Sequence, residues 1–403
     1  MFAVTMLFAT AASAQTYYVS KSTGSNRNDG SKDAPFKNIQ KAIDAVPEGS
    51  TIFVAEGNYF GTLDKGNIPV AKCVKIYGGY NTDFSQRDVL KYRTLVQPNA
   101  ASNGTASGLG TMIIKVNKPD GEVVIDGLLF DRGNSISYNV RGEGKPEGVE
   151  CPMMNPIGTG GKGGANLDET NVLTTETREI YFDNPNCQQI TIRNCAFVNA
   201  PNYGISGQFH ANLLIDNNIF INTRMIACDV WGGDANDNME VEFCNNTVLF
   251  TWTRLKDLAD MGYGFRYNNR TNSNVHHNIF GCSAFAALDR GRTDTPKERE
   301  AKKVTTSEYN MFFLNKRGDL ALPGGGMFMM VNCEDFEDVE QLKEIDGCVR
   351  LTDLSVLKGK INEDYLNGFI NASSATMFAN RYPFEDALKL FGAIRGYGAQ
   401  LPR

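Results

Sequence analysis

Histidine and tryptophan are scarce in this chain, at three and two residues among 403. There is no Cys-x-x-Cys pair, so the usual ligand spacing of a structural zinc site is absent and a zinc site is not expected. No later apolar run reaches about 18 residues, so no transmembrane helix is expected. Lysine and arginine are scattered and the net charge is -6, which leaves no basic footprint for nucleic acid. The glycine-rich stretch GTGGKGGANLDETN, Gly158 to Asn171, lacks the GK[ST] of a phosphate loop. It also does not stand between a strand and a helix, so no nucleotide site is expected there. What is present is a chain with 41% hydrophobic residues and 40 glycines, enough for one large or two ordinary domains.

The first residues, MFAVTMLFATAASAQ, are apolar and end in Ala12-Ser13-Ala14 before Gln15. They match the apolar core and A-x-A site of a signal peptide, although the usual positive n-region is missing. Residues 1–14 are expected to be a leader, and the protein to be exported to periplasm, cell surface or medium. Nine cysteines in an exported chain leave at least one unpaired. Cys151 with Cys187, and Cys333 with Cys348, bracket odd segments and are candidate disulfides. Cys195, Cys228, Cys244 and Cys282 sit in apolar strand patterns and are expected as buried thiols.

Four segments align with one another: ITIRNCAF (Ile190 to Phe197), LLIDNNIF (Leu213 to Phe220), VEFCNNTV (Val241 to Val248) and SNVHHNIF (Ser273 to Phe280). Each alternates apolar and polar residues, then carries Asn or His three residues before Phe or Val. The equivalent positions are Asn194, Asn217, Asn245 and His277, at steps of 23, 28 and 32 residues. SEYNMFF, with Asn310 placed in register, reads as a fifth copy, and VVIDGLLF as an earlier one. Alternation of period two means strands, and a variable repeat of this length means a solenoid. Stacked coils bring equivalent residues about 4.8 Å apart, so the paired asparagines are expected to form ladders at a turn.

A second strand follows each first one: YGIS, ACDV, GFRY and ALDR. Asn194 to Ser206, Asn217 to Asp229 and His277 to Asp289 each span 12 residues, whereas Asn245 to Arg266 spans 21. That coil therefore carries a nine-residue insertion, placed within Phe250 to Tyr263. The register turns Ile205, Cys228, Phe265 and Leu288 inward. It turns Ser206, Asp229, Arg266 and Asp289 outward, with Gln208, Trp231 and Asn268 beside them.

Residues Tyr17 to Tyr59, YYVSKSTGSNRNDGSKDAPFKNIQKAIDAVPEGSTIFVAEGNY, resemble the opening of the pectate-lyase-like right-handed parallel β-helix superfamily. The resemblance implies an all-β, single-stranded right-handed parallel β-helix with an N-terminal capping helix near Asn38 to Val46. The expected organisation is a β-helix over 15–313 with a long insertion at about 131–188. Coils and an irregular, partly helical cap over 314–403 would follow, with CEDFEDVEQLKEIDG helical. The superfamily holds lyases, glycoside hydrolases, esterases and non-catalytic proteins, so fold alone does not select an activity.

The outward row and its insertion are the candidate site, and a polysaccharide is the expected partner of a monomeric chain. The favoured enzymatic reading is a polysaccharide lyase acting on an acidic glycan by β-elimination, in which Arg266 would clamp the substrate carboxylate. Lys256 would be the base, since lysine loses its proton on burial far more readily than arginine. Asp229, Asp234 and Asp237 are candidate oxygen ligands for Ca2+, which the resemblance also implies. Trp231, Tyr267, Asn268, Arg270 and Arg290 are candidate substrate contacts, and Trp252 is a further aromatic. A hydrolase would instead use Asp229 and Asp289, two rungs or about 9.6 Å apart. A non-catalytic carbohydrate-binding or surface protein would carry the same residues as an exposed ion-pair row.

Overall fold

The computed structural model describes residues 15–61, 67–97, 110–131, 178–200, 202–234, 238–252, 261–267, 270–291, 305–324, 327–339, 342, 344–371 and 381–402. The expected leader, Cys151 and residues 132–177 of the expected insertion lie outside them.

Alternation of apolar and polar side chains builds a parallel β-helix. Ala196–Val198, Ile219–Thr223, Thr247–Thr251, Ile279–Ser283 and Met311–Phe313 are successive rungs of a nine-stranded sheet. The other strands form a 17-stranded sheet. Its pairings are parallel apart from Gly318–Gly324 against Met327–Val331. Residues 178–188 are not insertion but the first part of the strand Arg178–Arg193, which pairs with Tyr203–Asp216. The expected nine-residue insertion falls between Thr247–Thr251 and Tyr263–Arg266, and Asp229 pairs with Arg266 across it as the register requires.

The interior is a stack of rings. Phe130, Phe197, Phe220, Val248, Phe280 and Phe312 occupy one column. Ring centroids are 5.0 Å apart from Phe130 to Phe197, 4.7 Å to Phe220 and 5.7 Å from Phe280 to Phe312. Where Val248 interrupts the stack, Phe243 enters from the neighbouring wall. It lies 6.1 Å from Phe220, 6.0 Å from Phe280 and 4.3 Å from Phe265. Burying each such ring contributes about 1.5–3 kcal/mol.

The bend between the two walls needs a left-handed residue on every coil. Asn194, Asn217, Asn245 and His277 supply it, with φ of 54°, 58°, 52° and 56°. Asparagine tolerates this region better than other residues, which explains its recurrence. From Asn217 onward the residue after the bend forms the buried ladder: Asn218, Asn246, Asn278 and, after a bend at Tyr309, Asn310. Each amide oxygen accepts the equivalent backbone N–H of the previous coil, at 2.9 Å from Cys195, 2.9 Å from Asn218, 2.8 Å from Asn246 and 3.0 Å from Asn278. Each amide nitrogen donates to a carbonyl on the coil before, for example Asn246 Nδ2 to Ile215 O at 2.9 Å. The fifth copy is thus shifted by one from the sequence reading. Tyr309, φ 49°, takes the bend, and Asn310 belongs to the ladder.

Asn38 precedes a short helix, Ile39–Ala45, whose Ile39, Ala42 and Ile43 are buried. At the other end, the acidic stretch from Cys333 makes only a 3-10 helix among its described residues, Cys333–Asp338. The strand Glu344–Asp346 then continues the coil stack. Residues 354–371 and 381–402 pack against the outer face of the nine-stranded sheet rather than over an end. Tyr382 bonds Asn199, Ala399 N–H donates to Thr247, and Gln400 N–H donates to Asn217 at 2.6 Å. Cys333 and Cys348 are free thiols, as is Cys187, and Cys195, Cys228, Cys244 and Cys282 are buried thiols as expected. Among the described residues no helix is long and apolar enough to cross a membrane.

Candidate functional site

Three columns run across the outer face of the long sheet. The first is Arg178, Tyr203, Ile226, Tyr263 and Ala286; the second is Tyr181, Ser206, Asp229, Arg266 and Asp289. The third is Asp183, Gln208 and Trp231. A conformational kink separates the first two. Gly204, Ala227, Gly264 and Ala287 each fit one small residue inward, where a Cβ on Gly264 would stand 2.9 Å from the Phe280 ring.

The second column holds the charged centre. Arg266 Nε donates to Asp289 Oδ2 at 2.7 Å and Nη1 donates to Asp229 Oδ2 at 3.2 Å. The two aspartates are 5% and 3% exposed, so both carboxylates are held largely out of water. Burial alone would make the Arg266 guanidinium easier to deprotonate, but Asp229 and Asp289 outweigh it and hold the group more firmly charged than a free arginine. Arg266 therefore cannot act as a base. It is also not an open clamp for a substrate carboxylate, because two protein carboxylates already bind it. The guanidinium stands over the Tyr263 ring at 5.9 Å.

Trp231 lies beside this row, half-buried, with Nε1 donating to Gln208 Oε1 at 3.3 Å. Gly233 follows it against the His210 imidazole, where a Cβ would stand 1.8 Å from Cε1. Arg270 reaches the same turn, donating to Gly233 O at 3.4 Å. Asp234 is half-buried next to that turn. Asp237, Lys256 and Asn268 lie outside the described residues. Asp229 Oδ2, one of the oxygens expected to ligate Ca2+, is bound by Arg266.

Two aromatic residues expected to meet sugar, Tyr267 and Trp252, are buried instead. Tyr267 is 1% exposed and belongs to the core, and burial raises its phenol pKa strongly. Alternation is the reason: with Arg266 outward, its neighbour turns inward. Arg290 stands in the adjacent register position and so does not join the Arg266 row. Trp252 is likewise buried, donating to Asn222 Oδ1 at 3.0 Å. Conversely, Arg178, Tyr181 and Asp183 extend the columns by one rung. The Arg178 guanidinium stacks 4.6 Å from the Tyr181 ring and 5.5 Å from Tyr203. The signal is the alternating REIYFD, Arg178 to Asp183, which lies at the end of the glycine-rich segment expected as insertion.

The family described as "Protein of unknown function (DUF1565)" matches residues 22–293. No curated protein matches the chain. Among solved structures, the chain is similar to pectate lyase Pel9A at 11% identity, covering 85% of this chain and 78% of that one, with a TM-score of 0.40. It is similar to pectin methylesterase PemA from Erwinia chrysanthemi at 14% identity, covering 86% and 96%, TM-score 0.42. A rhamnogalacturonan lyase is similar at 13% identity, covering 82% and 90%, TM-score 0.34. These likenesses are of fold and say nothing of this chain's chemistry.

Proposed function

The chain belongs to the DUF1565 family, and from that premise we propose that it is a carbohydrate-active protein that binds a polysaccharide across the outer columns and cleaves it hydrolytically at Asp229. The observation that carries this is the Arg266 guanidinium fixed between two buried carboxylates on an outer wall, with Trp231 beside it. An adjacent guanidinium favours the ionised carboxylate, the form that acts as nucleophile or general base. Asp289 is bound more closely to Arg266 than Asp229 is, 2.7 Å against 3.2 Å. Asp289 is accordingly the anchor and Asp229 the reacting group. Trp231 offers an aromatic face to a sugar ring, and Gln208, bonded to its indole, orients it.

β-Elimination on a uronate fits this centre less well. It asks Arg266 to receive a substrate carboxylate where one guanidinium already serves two acids. That row disfavours a third negative charge, so a neutral or esterified glycan is the expected substrate. Export through residues 1–14 and a monomeric state belong to the same proposal.

The test is a glycan panel of neutral, acidic and esterified polysaccharides. New reducing ends or released acid, without absorbance from unsaturated uronates, is the expected product pattern. Appearance of that absorbance would move the reaction to β-elimination and overturn the hydrolytic assignment. Binding with no product of either kind would leave a binding protein.

A further inference from the structure

We propose that Glu242, Cys244 and His276 form a binding site for a divalent transition metal, zinc by its donor set, on a part of the outer wall distinct from the Arg266 row. Glu242 and Cys244 lie two apart on Glu240–Cys244 and so share a face. Cys244 is the register partner of His276 on the next coil. One donor atom from each of the three lies within 4.8 Å of the others. His276 Nε2 is 3.1 Å from Glu242 Oε1. Donors around a tetrahedral zinc, with bonds of about 2.0–2.3 Å, stand roughly 3.3–3.8 Å apart, so small side-chain shifts close the site.

The chemistry of the donors points to the metal. A thiolate, an imidazole and one carboxylate suit zinc or its neighbours, whereas Ca2+ and Mg2+ require oxygen. His276 Nδ1 lies 2.9 Å from His277 Nδ1. With its proton on Nδ1, His276 donates to His277 and turns the Nε2 lone pair toward the ion, the arrangement that orients metal-binding imidazoles. Asp216, the partner of Cys244 on the preceding coil, has Oδ1 3.5 Å from Sγ and fixes the thiol. On binding, the S–H bond breaks, the proton goes to solvent and the thiolate bonds the metal. Three protein donors leave a fourth position for water or an external ligand. The Glu242 side chain is 48% exposed, so the ion approaches from solvent.

A second cluster, Asp319, Cys333 and Glu334, serves as the internal control. There the Arg350 guanidinium holds both acids, at 2.6 Å from Asp319 Oδ2 and 2.8 Å from Glu334 Oε2. A cation already takes the position a metal would need.

Titration of the full chain with Co2+ alone, followed by its absorption spectrum, tests the site. One equivalent should bind, with a thiolate-to-cobalt charge-transfer band that Zn2+ displaces. Cys244→Ser should abolish the band, His276→Gln should weaken binding at least tenfold, and Cys333→Ser should change neither. Circular dichroism checks that each variant is folded; should Cys244→Ser fail to fold, Glu242→Gln must give the tenfold loss. No stoichiometric binding, a band that survives Cys244→Ser, or one lost in Cys333→Ser would overturn the proposal.

Discussion

Arg266 shows how a residue's environment decides its role. Between Asp229 and Asp289 it neutralises buried charge that would otherwise be costly. Replacing it with methionine leaves two buried carboxylates, on the rungs either side, without their cation. Urea denaturation of Arg266→Met should show a loss of about 3–5 kcal/mol; a loss under about 1 kcal/mol would mean that water screens the row. Tyr267 gives the converse case. Its buried hydroxyl has no hydrogen-bond partner among the described residues. Tyr267→Phe should be neutral or stabilising by about 1 kcal/mol, with glycan binding unchanged because the ring faces the core. Weakened binding in that variant would return Tyr267 to the site. The parity that buries Tyr267 was readable from Arg266 once the register was known. Its aromatic character masked it, since a ring next to a charge also looks like a sugar platform.

Among the elements, the asparagine ladder carries the stack. Asn246 accepts Asn218 N–H, donates to Ile215 O and donates to Asn278 Oδ1. Asn246→Ala strands the buried Asn218 N–H and Ile215 carbonyl, and should lower stability by about 2–3 kcal/mol in denaturant titration. An unchanged midpoint would mean that water replaces the amide. The Arg350–Glu334 pair ties the 3-10 helix to the last coils. The Arg350 hydrogen bond holds the Glu334 carboxyl at about 2, below its ordinary 4.5. A depressed acid stabilises the fold above the unfolded value and loses that contribution as pH falls through the folded one. Stability from this pair is therefore full above about pH 4.5 and fades toward pH 2. Glu334→Gln should flatten the acid limb between these values, read as urea midpoints at successive pH. The effect will be small, because the Glu334 side chain is 53% exposed. An identical acid limb in both proteins would remove Glu334 from the account of acid sensitivity.

For the whole molecule, the coil register was legible because period-two alternation and the recurrent asparagine bend are both local signals. The row Ser206, Asp229, Arg266, Asp289 followed from that register and is found as read. Contacts set by coil length were not legible. Cys244 and His276 are 32 residues apart, a distance that no short motif encodes, yet they are adjacent rungs. The packing of residues 354–371 and 381–402 on the nine-stranded sheet was hidden for the same reason. It rests on a buried apolar cluster, Leu366, Phe369 and Phe391 among its members, and on bonds such as Gln400 to Asn217 across 183 residues, with no periodicity to announce them.

Asp229→Asn is the most direct test of the hydrolytic assignment, measured as product formation and as binding on the glycan that wild type cleaves. Product formation should fall by at least about 100-fold, with binding held within a few-fold because Trp231 and Gln208 are untouched. Wild-type turnover in Asp229→Asn would place the chemistry elsewhere on the β-helix.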